Sequence, residues 1–67
     1  MKMIFSKYVD CDFYDRRLDE TYPKSFQKGD VLENVTEVER DGKFLHLALE
    51  DGNTLQFVPQ NSVEKLL

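Results

Sequence analysis

Apolar and polar positions alternate most regularly in the second half of the chain. Leu45, Leu47 and Leu49 recur at period two within residues 44–50, Leu55 and Phe57 fall on one side of residues 54–58, and residues 31–40 mix Val and Thr with charge. Period two is the repeat of a half-buried strand. Asp41-Gly42 and Asp51-Gly52 separate the three segments, and this dipeptide readily takes the positive φ of a tight hairpin turn. A three-stranded antiparallel meander is predicted.

Upstream, residues 1–9 are predicted as a strand with Met3, Phe5 and Val9 on one face and Ile4 and Tyr8 on the other. Residues 10–28 show no clean period and are read as one long loop, closed by the turn-prone Lys28-Gly29-Asp30. Pro59 denies the ladder a donor and ends the third meander strand. Gln60-Asn61-Ser62 then suits one turn of 3₁₀ helix, and residues 63–67 a short closing strand. Five short strands with one long early loop describe a small all-β barrel. No repeat or linker interrupts the 67 residues, so one domain is expected over residues 1–67.

Composition sharpens this picture. A hydrophobic fraction of 40% with 33% charge belongs to a folded domain rather than a disordered one. Cys11 is the single cysteine, which excludes an internal disulfide and fits a reducing compartment. The apolar run at the N-terminus is too short for a signal-peptide core, and no stretch is long enough to span a bilayer, so a cytoplasmic protein without membrane contact is expected. Asn34-Val35-Thr36 fits the glycosylation pattern but lies in a predicted strand. The formal charge is −4, and ten of the acidic residues fall between Asp10 and Asp41 against five basic ones, so that segment carries −5 and the rest +1. An acidic segment repels phosphate, which argues against direct nucleic-acid binding.

Three stretches also share a spacing. Asp12-Phe13-Tyr14-Asp15-Arg16, Phe26-Gln27-Lys28-Gly29-Asp30 and Phe57-Val58-Pro59-Gln60-Asn61-Ser62-Val63 follow in order. Together they resemble the frame of the Src-homology-3 family: an ALYDY-type segment, a long acidic loop, a Phe-x-Lys-Gly-Asp turn and a Pro-x-Asn 3₁₀ turn. Leu45, Leu49 and Gly52 follow the same frame after one extra residue. The resemblance covers residues 12–67 and leaves residues 1–8 as an N-terminal extension. It implies a five-stranded barrel that binds a protein or peptide partner along the long loop and the 3₁₀ turn, with Tyr14, Arg16, Asp19, Glu20, Tyr22, Lys43, Pro59 and Asn61 as contact residues. The family's peptide groove is paved with aromatics, and here Arg16, Lys43 and Ser62 stand where rings are expected. Loss of those rings removes the slots for a polyproline II ligand, so a folded partner or a differently shaped peptide is expected. Asp12 takes a position where the family buries a small apolar residue, and an unpaired buried carboxylate would be costly.

Candidate chemistry is sparse. Cys11 and His46 are the only soft or borderline metal ligands, and a structural zinc site takes four, so neither a metal nor a cofactor is expected. A Cys–His nucleophile pair lacks an orienting motif around Cys11, and His46 reads as a strand residue on the face opposite Leu45, Leu47 and Leu49. No enzymatic activity is expected. Tyr14 and Tyr22 are read as an exposed shelf beside Pro59 or as half-buried tyrosines with wet hydroxyls, and Asp12, Asp15, Asp19 and Glu20 as an acidic rim or a solvated loop. Glu33, Glu37 and Glu39 are assigned to one strand face at period two. Such a row either solvates the sheet or imitates a phosphate backbone, the latter implying an acidic regulator on the basic surface of a nucleic-acid-binding enzyme. The chain is expected to be a monomer or a weak homodimer, with residues 1–8 pairing either within the barrel or with a second copy.

Overall fold

The computed structural model describes residues 1–66, and they are all-β apart from one 3₁₀ turn. In chain order the strands are β1 (Lys2–Phe5), β2 (Val9–Asp15), β3 (Glu20–Phe26), β4 (Val31–Leu32), β5 (Val35–Asp41), β6 (Phe44–Leu49) and β7 (Thr54–Pro59). The 3₁₀ turn Gln60–Ser62 follows, then β8 (Val63–Leu66). Two antiparallel sheets form, ordered β4-β1-β8 and β3-β2-β7-β6-β5. The expected meander is β5-β6-β7. The segment expected as one strand over residues 31–40 is divided into β4, in the smaller sheet, and β5, in the larger.

Residues 1–8 add a strand within the fold, one of the two outcomes expected of them: β1 is the central strand of the smaller sheet, with Met3 opposite both Leu32 and Lys65. One expectation needs correction. Residues 10–28 are no irregular loop, because β2 and β3 pair in continuous register from Val9↔Phe26 to Asp15↔Glu20. Val9, Cys11 and Phe13 alternate with Asp10, Asp12 and Tyr14, which is the period of a strand with one wet face. Pro23 lies within β3, which is an edge strand of its sheet and tolerates a residue without an N–H.

Burial explains the layering. Met3, Phe5, Val9, Cys11, Val35, Leu45, Leu47, Leu49, Leu55, Val58 and Val63 form one core, with Phe13, Phe26 and Leu32 packed against it. Phe5 from the smaller sheet stacks on Phe26 from the larger at 4.5 Å between centroids, tying the layers together. The Val35 N–H donates to the Met1 carbonyl at 3.2 Å, so the start of β5 also bonds to the chain ahead of β1. The other face of the five-stranded sheet carries Asp10, Asp12, Tyr14, Glu37, Glu39, Asp41, Phe44, His46 and Ala48, placed by their alternation with the core residues. Among the described residues no helix is long and apolar enough to cross a membrane.

Candidate functional site

The β6–β7 pairing contains an irregularity that sets the site. Leu45 lies opposite Val58 and Leu47 opposite Leu55, so two residues of β7, Gln56 and Phe57, face the single residue His46. The extra residue puts Phe57 at φ +58, a left-handed backbone rare for a bulky side chain. It also turns the ring out of the core, leaving Phe57 46% exposed while Val58 is fully buried. The expectation that Phe57 shares the inward side with Leu55 is therefore corrected. The Phe57 N–H donates to Nδ1 of His46 at 3.3 Å, and Nε2 of His46 approaches Oδ2 of Asp41 at 3.2 Å. Because Nδ1 accepts, the ring proton lies on Nε2 and points to the carboxylate. Phe57 meets His46 edge-on at 4.9 Å and Phe44 at 5.7 Å.

Beside this cluster, an open cavity of about 480 Å³ is lined by Lys43, Phe44, Pro59, Gln60 and Asn61. Gln60 N–H donates to the Lys43 carbonyl at 2.9 Å, fixing the 3₁₀ turn against the β5–β6 hairpin. Ser62 is fully buried, its hydroxyl donating to the Pro59 carbonyl, so it closes the turn and is out of a ligand's reach. Lys43, Pro59 and Asn61 thus line one cavity. Phe44 and Phe57 supply the rings, and neither was among the anticipated contact residues. The signal for Phe57 lay in Leu55 and Val58, whose spacing of three fits two inward positions only if the strand carries one extra residue.

The remaining anticipated residues lie elsewhere. Tyr14 is opposite Thr54, at the other end of β7 from Pro59. Five residues of strand separate those ends by roughly 16 Å. Tyr14 Oη donates to Asp19 Oδ1 at 2.7 Å, and this bond raises the phenol above its ordinary range. Asp19 sits at φ +49 in the turn between β2 and β3, a conformation Asp tolerates. Asp15 Oδ1 accepts the Arg17 N–H at 3.0 Å, and Arg16 N–H donates to Asn53 Oδ1 at 2.9 Å. Glu20 opens β3 opposite Asp15. Tyr22 pairs with Phe13, their rings 5.2 Å apart, on the core side of the hairpin, whereas Tyr14 pairs with Thr21 on the other side. A common shelf of Tyr14, Tyr22 and Pro59 is thereby excluded. Asp12 is not buried in the core: it points outward opposite Gln56, while its neighbour Cys11 points in.

The acidic row is also redrawn. Glu33 leaves it to approach Lys2 at 3.4 Å, and the row on β5 is Glu37, Glu39 and Asp41. Asp10 on β2 accepts from Ser25 Oγ at 2.6 Å and Tyr8 Oη at 2.8 Å, and these two bonds hold its carboxyl below the usual range. Cys11 and His46 sit on opposite faces of the same sheet and cannot act as a pair. Burial, with Asp12 and Asp10 adding to it, pushes the Cys11 thiol up to about 11, so it stays protonated near neutrality. Among the described residues no three His, Cys, Asp or Glu side chains are grouped to hold a metal ion. Comparison of the chain with protein-family models, curated proteins and solved structures gives no match.

Proposed function

We propose that this chain is a non-catalytic protein-interaction module of the Src-homology-3-like kind, which binds a protein or peptide partner at the 3₁₀-turn end of the larger sheet. The observation that carries the reading is Phe57, a bulky residue at φ +58 whose ring is nonetheless 46% exposed. Backbone strain of this sort costs of order 1–3 kcal/mol and persists where the surrounding structure over-determines it, commonly at ligand sites. Phe44, Pro59 and the cavity beside them extend the aromatic surface, and Lys43, Gln60 and Asn61 give it a polar rim. Such a rimmed aromatic patch is the usual form of a protein contact. The β2–β3 hairpin, the β5-β6-β7 meander, the 3₁₀ turn and the closing strand β8 support this reading by their order, with the contact placed at the turn end rather than on the hairpin.

Affinity capture from native lysate, with partners identified by mass spectrometry, tests the reading. Partners held by the wild type are expected to be lost with the double variant Phe44→Ser, Phe57→Gly and kept with Tyr14→Ala. Retention by the folded double variant refutes the assignment of the turn end. A second reading, an acidic regulator of a basic protein, is favoured by the outward row Glu37, Glu39 and Asp41. Salt separates the two, since a charge-driven complex weakens steeply with ionic strength.

A further inference from the structure

The face of the five-stranded sheet turned away from the core has a charge layout of its own. On one flank β5 presents Glu37, Glu39 and Asp41, and on the other β2 presents Asp10 and Asp12. Between them, β6 and β7 present Phe44, His46, Ala48, Thr54, Gln56 and Phe57. No Lys or Arg occupies an outward position of these strands. Of the basic side chains nearby, Lys24 lies over the Phe13 and Phe26 rings on the core side and Arg16 packs over Gly52, while Lys43 lines the cavity beyond the Phe44 end of the face. None of the five carboxylates is paired with a Lys or Arg among the described residues; Asp41 instead meets the neutral His46 ring at 3.2 Å.

We infer that this face is a docking surface for a cationic amphipathic helix of a protein partner, laid along β6 and β7 with its apolar stripe on Phe44 and Phe57 and a basic row over each acidic flank. The inference deepens the proposed protein-binding function and rests on it. Spacing selects the helix. β5 and β2 are separated by three interstrand steps, which at about 4.8 Å each set the acidic rows roughly 14 Å apart. A helix with its side chains is about 10–12 Å across, so Lys or Arg on both of its shoulders reaches both rows while the stripe stays down. An extended strand is about 5 Å wide and reaches one row at a time. Phe44 to Ala48 spans four residue steps, roughly 13 Å, equivalent to about nine residues of helix.

A defined probe tests this: a 16-residue synthetic helix with leucines at i, i+3, i+4 and i+7 and lysines on both shoulders. One control replaces its lysines with glutamate, and a second places two prolines at its centre. The ¹⁵N-labelled full chain is titrated with each, following amide shifts and peptide helicity. The lysine helix is expected to shift the amides of Asp12, Glu39, His46 and Phe57 and to gain helicity on binding. Affinity should fall at least tenfold between 50 and 500 mM salt, and at least tenfold in Glu37→Lys, Glu39→Lys. If that variant unfolds, Glu37→Gln with Glu39→Gln is expected to show a smaller loss in the same direction. Equal binding of the glutamate peptide removes the charge argument, and equal binding of the proline peptide replaces the helix with an extended occupant. No shift at millimolar lysine helix overturns the inference outright. Shifts confined to Lys43, Gln60 and Asn61 overturn it too, while leaving the turn-end reading standing. Loss of that reading would instead show in the lysate capture with the Phe44 and Phe57 variant.

Discussion

The two ends of β7 carry opposite designs. At the Thr54 end the polar groups close on one another: Tyr14 on Asp19, Asp15 on the Arg17 amide, and Asn53 on Asp51 and the Arg16 amide. These groups already have partners, and the one large apolar side chain exposed at that tip, Leu18, is aliphatic and lies on the turn rather than on the sheet face. At the Pro59 end the chain holds an aromatic ring outward at a left-handed φ, stacked edge-on with Phe44 and His46 and open on its outer side. Hydrogen-bonded surface groups are replaced by water at little cost, whereas exposed rings gain when covered. A contact is therefore better sought where the fold has accepted strain than where it has satisfied itself.

The sharpest test of that contrast is the backbone at Phe57. Phe57→Val places a β-branched residue at φ +58, and it should lower stability by about 2–3 kcal/mol through strain and lost ring contacts. Phe57→Gly loses the same ring contacts, worth about 0.5–1.5 kcal/mol, but relieves about 1–2 kcal/mol of left-handed strain. Its urea midpoint should stay within about 1 kcal/mol of wild type. If glycine is as damaging as valine, the ring is structural packing and the contrast between the ends collapses.

A smaller effect is expected where a glycine takes the same backbone region. Gly52 at φ +89 and Gly42 at φ +60 turn the two ends of β6. Alanine at Gly42 meets nothing within 4 Å, whereas at Gly52 its Cβ would lie 3.0 Å from the Arg16 side chain. Gly42→Ala should cost about 1 kcal/mol from strain alone. Gly52→Ala should cost somewhat more, and Arg16→Ala in that background should recover the excess, a coupling measurable by a double-mutant cycle. Equal costs at the two glycines would mean that Arg16 simply swings away and does not fasten the hairpin tip.

These contrasts also mark what the sequence made legible. The meander, its turns and the 3₁₀ turn follow from Leu45, Leu47 and Leu49, the Asp-Gly pairs and Pro59, because period and turn chemistry are local signals. The β2–β3 hairpin was hidden, although Val9, Cys11 and Phe13 alternate cleanly with Asp10, Asp12 and Tyr14. Acidic density imitates a loop, and Pro23 masks an edge strand. The placement of β1 was hidden for another reason, since a four-residue strand is set by its partners β4 and β8, which are distant in sequence. At the site, Lys43, Pro59 and Asn61 were legible only as contact positions that the family resemblance implies. Phe57 was not, because one extra residue in a strand reverses which face each following side chain takes.

The smallest expected effect concerns the bond that closes the quiet end. Tyr14 is exposed, and its phenol is raised chiefly by the hydrogen bond to Asp19, with desolvation and the Asp19 charge adding to it. A raised folded value means that the native state keeps the proton when the unfolded chain has lost it. The bond's contribution is therefore complete below about pH 10, the ordinary tyrosine value, and disappears as pH rises through the folded value. Asp10 behaves in the opposite sense: held low by Ser25 and Tyr8, it contributes above the ordinary aspartate range and loses that contribution as pH falls through its depressed value. Phenolate absorbance separates Tyr14 from the other tyrosines when wild type is compared with Tyr14→Phe. In Asp19→Asn the Tyr14 titration should return toward pH 10, with the cold-side and heat-side unfolding at neutral pH barely altered. A Tyr14 titration unmoved by Asp19→Asn would show that the hydroxyl is free in solution. The hairpin tip would then offer an open donor to a partner, and the difference between the two ends of β7 would narrow to the rings alone.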